Sequence, residues 1–452
     1  MNKYIVLSMC FVLTGCFSGE TAKLEKPHPS VWTATDSQLV KQVEAASLKE
    51  WWKKFNDPVL NNLVETALTH SPDRRIAEAR IAEARGLQRY SKSFLLPQLG
   101  VSGSTGYSDN GANNSSSDNF YDAQFDASFE IDVFGKNRSN LSASDASLQS
   151  VQESYHDVTL TLIADIARSY IDYRAAQKQT EIAGKNLKSQ EKTLKLVLDL
   201  YRLGEGGRLD VERARNLVNT TRASLPEFTR QAENARLRLS ILTGKLPEEL
   251  VKMVNEAAPI PDSNIQPFLL APAHVIALRP DIKAASANLV SRTSLAKAAV
   301  AEVFPTFSLS SFYGVTDNAL INASTPWNVA LNSAVSLLNF GRLQGQIDAA
   351  RSREVIAFEE YRKTLLAAVV EVETNLTDYA YINKRQVALA NAYKSAAKAL
   401  ELSQSLYKEG EVSFLDVLDA QRSANNAEAA MVSATAAQAE SLTRLFKSLG
   451  VY

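Results

Sequence analysis

The chain has 452 residues, 45% of them hydrophobic, and its 49 basic and 50 acidic residues leave a formal charge of −1. So even a balance gives no electrostatic case for a nucleic-acid partner. Two cysteines, Cys10 and Cys16, and four scattered histidines argue against a disulfide framework and against a Cys- or His-rich metal centre.

Lys3 opens a short positive region, Tyr4 to Val12 is apolar, and Leu13-Thr14-Gly15-Cys16 closes it. A brief apolar stretch ended by small residues reads as a secretory signal over residues 1–15, too short to span a bilayer. The ending also resembles a bacterial lipobox, which would make Cys16 the lipidated first residue of the mature chain. An ordinary signal with a chance cysteine is the plainer alternative. In lipoproteins of that kind an Asp after the cysteine favours inner-membrane retention, so Phe17 points to the outer membrane. Residues 16–50, polar and carrying Pro27 and Pro29, read as a lipidated N-terminus and extended tether. No later stretch holds eighteen consecutive apolar residues, so no transmembrane helix is expected.

Residues 51–243 form a first unit. After Asn56-Asp57-Pro58 comes a helix with Val59, Leu60, Leu63, Val64 and Leu68 on one face. Ser71 reads as the N-cap of a second helix, with Pro72 first and Asp73 in its opening turn, and Pro97 ends it. The period then changes to two. Over Tyr121 to Val133 the odd positions, such as Phe125, Phe129 and Ile131, are apolar, while Asp122, Asp126, Glu130 and Asp132 fall on the even ones. With residues 98–107 this predicts a hairpin over 98–133 around an Asn/Ser/Asp/Gly-rich loop. A soluble hairpin packed on a helix would alternate too. An aromatic face opposite an acidic one fits a barrel better, with lipid outside and water inside.

Only Gly184 interrupts residues 136–203, which predicts a helix of about 100 Å. Leu148, Tyr155 and Leu162, seven apart, suggest a heptad-like seam. Gly204-Glu205-Gly206-Gly207 breaks the helix at a tip, 204–208, and a return helix runs to about Thr243. Residues 244–278, with Pro247, Pro259, Pro261, Pro267 and Pro272, read as a compact irregular connector.

Residues 279–452 then repeat the first unit. Pro305 follows Pro280 by 25 residues, as Pro97 follows Pro72. Phe340-Gly341-Arg342 follows Phe134-Gly135-Lys136 at an offset of 206, and Leu415-Asp416-Val417 follows Leu209-Asp210-Val211 at the same offset. Such a period is far longer than those of solenoids. The chain is a duplicated helix–strand–strand–helix–helix module. Its second copy has a hairpin at 306–338, a long helix at 342–409, a tip at 410–413 and a return helix. The hairpin is read as Thr306 to Val315, a loop with Asp317 and Asn318, then Trp327 to Leu337. Leu365, Val372 and Tyr379 form one stripe on the long helix, and Leu366 and Val370 a second. A helix with two stripes packs on both neighbours like the stave of a cylinder, whereas a rod-like coiled coil needs one. The two shorter helices of each copy together nearly match the long one, so each copy supplies one full stave and one split stave.

Four strands cannot close a barrel, so self-association is required, with eight strands from two chains or twelve from three. Phe94-Leu95-Leu96-Pro97, Phe134-Gly135-Lys136, Tyr407-Lys408-Glu409-Gly410 and Phe414-Leu415-Asp416-Val417-Leu418-Asp419-Ala420 resemble the TolC-type outer membrane efflux proteins. Cys16 and the run Trp51-Trp52-Lys53-Lys54-Phe55-Asn56-Asp57-Pro58 bring the chain closest to the lipoprotein subgroup serving resistance-nodulation-division pumps. The resemblance implies an α+β membrane protein: a homotrimeric twelve-stranded β-barrel in the outer membrane, continued by a long α-helical barrel across the periplasm. It implies the exit duct of a tripartite pump, taking small molecules such as drugs from an inner-membrane transporter and a periplasmic adaptor (membrane fusion protein). No cofactor is expected beyond the covalent lipid on Cys16.

Asp416 and Asp419 match the aspartates that ring the family's periplasmic entrance. Tyr407 and Asp210 match residues that tie neighbouring coils shut, and Val412 stands where some members carry a latch arginine. The turns Arg202-Leu203-Gly204 and Glu409-Gly410-Glu411 would meet the adaptor. For each acid the plainer reading is a helix N-terminal carboxylate favoured by the macrodipole. No G-x-S-x-G, H-E-x-x-H or metal-spaced set is present, so no enzyme is expected. A type I protein secretion duct and a structural coiled-coil lipoprotein remain the alternatives.

Overall fold

The computed structural model describes residues 32, 41–42, 49–108, 118–256, 258–262, 268–318 and 321–452. The expected signal, Cys16 and most of the tether lie outside the described residues. A two-residue strand β1 (Lys41–Gln42) and a 3₁₀ turn (Trp51–Phe55) lead into α1 (Pro58–His70) and α2 (Pro72–Ser93). Strands β2 (Gln98–Ser108) and β3 (Asp118–Ile131) follow, then α3 (Lys136–Arg202) and α4 (Arg208–Thr243). The connector holds α5 (Pro247–Val254), β4 (Phe268–Leu269) and α6 (Pro272–Leu278). The second copy is α7 (Pro280–Ala301), β5 (Thr306–Asn318), β6 (Ile321–Ser324), β7 (Trp327–Ala334), α8 (Arg342–Glu409) and α9 (Phe414–Ser448). The fold is mostly helical with one small sheet. No helix among the described residues is long and apolar enough to cross a membrane.

Three details depart from the sequence pattern. The connector is less irregular than its prolines suggest, because Pro247 and Pro272 each occupy the first turn of a short helix, where a missing N–H costs nothing. Strand β5 runs on to Asn318 and β6 pairs with its end, inside the expected loop, while β7 stops at Ala334 rather than Leu337. Asp132 leaves the acidic strand face. The strand ends at Ile131, and the Asp132 carboxylate accepts from the backbone N–H groups of Asn137 (3.1 Å) and Arg138 (2.8 Å), donors that the start of α3 leaves unpaired.

The strands pair antiparallel in the order β2-β3-β5-β7, with β6 beside the far end of β5. Register aligns the residues across all four. Val101, Phe125, Tyr313 and Trp327 form one row, and Phe129, Leu309 and Leu331 another two rows along the same face. The opposite face carries Ser104–Asp122–Thr316 and Gly100–Asp126–Phe312–Asn328. One face is apolar and the other polar, and β2 and β7 each keep an unpaired edge among the described residues.

The helices take up a matching order. Next to the sheet α2, α3, α7 and α8 pack in sequence; towards the tips the order is α4, α3, α9, α8. One flank is therefore α2 continued by α4, lying below the edge strand β2. The other is α8, reached from the edge strand β7. Helices α3 and α8 have 67 and 68 residues, about 100 Å each. On α8 Leu365, Val372 and Tyr379 are buried, whereas Leu366 and Val370 stay exposed on its open flank. In the sheet half of α3 small residues, Ala143 and Ala146, make the seam instead of Leu148, because α7 approaches closely there.

Midway along α3 and α9 a belt of short elements covers one face. Trp51, Trp52, Phe55, Leu60 and Leu63 pack on Ile163, Ile166 and Tyr170 of α3 and on Leu442 and Phe446 of α9. Trp32 joins this core and donates its indole N–H to Leu270 O at 2.7 Å, while β1 pairs in parallel with β4. Asp57 caps α1 through Val59 and Leu60 N–H groups (2.9 Å each) and accepts the Tyr170 hydroxyl at 2.9 Å. Buried Arg174 donates to Tyr170 Oη (2.9 Å) and to Glu256 O (2.6 Å), so one polar chain fixes the belt to the staves.

Each split stave meets at a glycine. Gly244, just past α4, has φ +66° and lies against His70 O and Pro72 at the start of α2. Gly450, just past α9, has φ +75°, and a side chain there would reach within 2.7 Å of Arg279 Cγ beside α7. Gly244→Ala should lower the stability of the detergent-solubilised protein by about 1–2 kcal/mol from the left-handed backbone alone, with the clash adding to it. A thermal melt equal to wild type would show that the joint does not need the glycine.

Candidate functional site

The tips of the two copies are built alike. Gly204 (φ +79°) ends α3 with its N–H on Tyr201 O (3.1 Å), and the Glu205 N–H reaches Leu200 O (2.9 Å). Gly410 (φ +79°) ends α8 with its N–H on Tyr407 O (3.1 Å), and the Glu411 N–H reaches Leu406 O (2.9 Å). These paired bonds satisfy carbonyls that each helix end would otherwise leave without partners, the pattern of a glycine C-cap. They present Leu203 at the surface, with Arg202 held by Asp199 at 3.2 Å, and Glu409 accepts from the Ser405 hydroxyl.

Behind the turns, Val197, Val211 and Ala214 of the first copy pack with Phe414 and Leu418 of the second. Tyr407 leans on Phe414 with ring centres 5.7 Å apart, and burial, then the nearby Asp210 carboxylate, push its phenol up. The structure thus brings Tyr407 and Asp210 together within one chain.

Asp416 and Asp419 both lie on the exposed face of α9, opposite Val417 and Leu418. Asp416 also serves the helix itself. Its carboxylate accepts from Ser413 N (2.9 Å) and Oγ (2.6 Å) in a capping box, which holds it below the usual carboxylate range. The equivalent residue in the first copy is Asp210, and Asp419 corresponds to Arg213. Arg213 is 3.5 Å from Asp210, so the first copy carries a neutral pair where the second carries two acids. Comparing the copies position by position at the offset of 206 is the signal that reveals Arg213.

Two further polar groups stand out. On the face of α3 and α9 turned from the belt, Glu440 is pushed up to about 7, first by burial and then by the Asp172 carboxylate that shares a hydrogen bond with it. At the second joint Arg279 binds Asp281, Glu371 and Ser448 O around a cavity of about 330 Å³. Among the described residues no group of three His, Cys, Asp or Glu is placed to hold a metal ion.

Comparison with known proteins fits this geometry. The family model described as "Outer membrane efflux protein" matches residues 63–245 and 271–451, one span for each copy. The chain is similar to the pyoverdine export outer membrane protein OpmQ of Pseudomonas aeruginosa, with 30% identity covering 100% of this chain and 97% of that one. It is similar to nodulation protein T of Rhizobium leguminosarum bv. trifolii at 29% identity, covering 96% and 94%. Among solved structures, the outer-membrane channel OprN superposes with a TM-score of 0.87 at 30% identity, covering 94% of this chain and 98% of that chain.

Proposed function

The chain belongs to the outer membrane efflux protein family, and from that premise we propose how it builds the channel of an efflux pump. It is the outer membrane component of such a pump. Three copies stand side by side, their sheets joined into a twelve-stranded barrel and their staves into a helical tunnel of twelve. The observation that carries this reading is that the molecule is open on the same two sides throughout. A rotation that sets α8 of one copy against α2 and α4 of the next also sets edge strand β7 against edge strand β2. Lipid tolerates no unpaired strand edge, since each orphaned backbone group there costs several kcal/mol.

In the closed ring the row Val101, Phe125, Tyr313 and Trp327 faces lipid, and the Asp122 and Asp126 face lines the lumen. Cys16 carries the lipid at the outer membrane, and Trp32 pins the tether to the belt. The tunnel reaches across the periplasm, where the turns at Arg202–Gly204 and Glu409–Glu411 meet an adaptor. The adaptor links them to a resistance-nodulation-division transporter, and small molecules, drugs among them, pass outward. Asp416 and Asp419 of three copies make a ring of six carboxylates at the narrow end, which focuses field and favours cations. Tyr407 and Asp210 hold the tips closed, and with Val412 in the latch position the closure relies on the apolar cluster around Phe414 rather than on an added arginine.

Single-channel conductance in planar bilayers tests this reading. Wild type should give a small, cation-selective conductance, and Asp416→Ala/Asp419→Ala a larger and less selective one. No current from either protein, with insertion confirmed, would sink the channel reading and favour a structural lipoprotein.

A further inference from the structure

A cleft of about 600 Å³ opens in the corner between the belt and the free flank of α8. Phe55, Pro259, Ile260, Pro261 and Val387 supply its apolar wall, polar groups such as Asp57, Asp262 and Gln386 share the lining, and Asn383 is bonded to Gln438 of α9 at 2.8 Å. Val387 is 54% exposed, although it sits beside a buried core. Among the described residues α8 packs chiefly on α9 and α7.

The opposite flank of the molecule offers a complement. On α4 the face turned from α3 carries Leu237 (42% exposed) and Ile241 (73% exposed), one turn apart. Cross-stave contacts give their height. Asn383 pairs with Gln438, and Gln179 of α3 bonds Ala429 O at 2.9 Å on α9, which brings Gln438 level with the α3 residues near Asp172. Arg222 of α4 meets Glu191 of α3 at 2.8 Å, and the antiparallel run from there brings the same part of α3 level with Leu237 and Ile241. The cleft and the apolar pair thus lie at one height on opposite flanks of the same chain. Rotation about the tunnel axis conserves height, so closing the ring carries one onto the other.

We propose that the cleft is a socket for a second copy of this chain, filled by Leu237 and Ile241 of the adjacent protomer's α4. The inference rests on the ring closure proposed above and names the contact that locks it at the belt. Leu237 and Ile241 would pack on the apolar wall of Phe55, Ile260 and Val387, with Asn383 satisfied by Gln438 and the polar lining forming the rim, the pattern of an apolar contact in a polar surround.

Cross-linking distinguishes the two levels of the argument. The chain has only Cys10 and Cys16, both at the N-terminus, so introduced cysteines report cleanly. Ile241 and Val387 of one chain lie on opposite flanks, three stave widths apart at about 8–10 Å each, too far for an internal bridge. Treated with a short bis-maleimide, Ile241→Cys/Val387→Cys should run as covalent dimers and trimers, and neither single variant should. Leu237→Cys/Val387→Cys repeats the test if the first pair assembles poorly. An intact ring on native gels with neither double variant cross-linked would overturn the socket alone. Chains that stay monomeric in the wild type would overturn the socket together with the ring.

Discussion

Arg279→Ala will destabilise the protein by about 3–5 kcal/mol, the range for removing one partner of a buried ion pair. Arg279 is buried where α7 begins and α9 ends. Its guanidinium forks onto Asp281 (3.0 and 2.7 Å), reaches Glu371 of α8 (2.7 Å) and donates to Ser448 O at the C-terminus of α9 (2.9 Å). One side chain therefore ties three staves at the joint. Without it, Asp281, Glu371 and nearby Asp157 face one another with Lys447 as the remaining cation, 3.4 Å from Glu371. Arg279→Lys keeps the charge but loses the fork, so its loss should be smaller. The deficit should also shrink in mild acid. Burial, then Asp281, already raises the Asp157 carboxyl, so the folded state takes up its proton at higher pH than the unfolded chain. Stability tied to that group rises as pH falls through the folded value, and removing the arginine strengthens the trend. Melts of the solubilised protein at neutral and mildly acid pH check both points. An unchanged melting temperature at neutral pH would mean that the joint is held by packing alone.

Neutralising the acidic sheet face that would line the lumen of the proposed barrel, Asp122→Asn/Asp126→Asn/Glu130→Gln, should lower the cation-over-anion permeability ratio by about tenfold, the lower end of the enrichment that a focused field gives. Residues 98–135 and 303–341 contain no Lys, Arg or His, so no base offsets these acids anywhere in the sheet. Their hydrogen-bond partners are neutral: Ser104 (3.1 Å) and Thr316 (2.5 Å) donate to Asp122, and Ser102 (3.3 Å) to Asp126. Hydroxyls orient the carboxylates without cancelling their charge. Reversal potentials in a salt gradient read the ratio directly, and a ratio unaffected by the triple change would place selectivity wholly at the tips.

The long helices were legible because break-free runs of good helix formers leave the chain few other options, and the glycines that end them are needed for positive φ. Strand pairs were legible in the period-two stretch around Phe125, where one face must be buried. The order of the staves was not. Whether α7 packs on α3 or on its own copy's neighbours depends on which small residues allow close approach, and Ala143 and Ala146 carry no periodic signature. Asp132 was misplaced for a related reason. A carboxylate at the end of an alternating run fits a strand face or a helix start equally well until the backbone turns. At the tips, Asp416 was visible as an acid on a helix, but its capping of Ser413 and the pairing of Asp210 with Arg213 are tertiary and local geometry that residue type alone leaves open.

The two halves of this chain share the glycine turns at their tips and joints, yet at equivalent positions such as 213 and 419 they carry opposite signs. The residue at 419 thus sets whether the tip of the second half carries two acids or, like Asp210 and Arg213 in the first, a neutral pair. An arginine there would give both tips the same neutral Asp–Arg pair, and the proposed ring of carboxylates would lose its net charge.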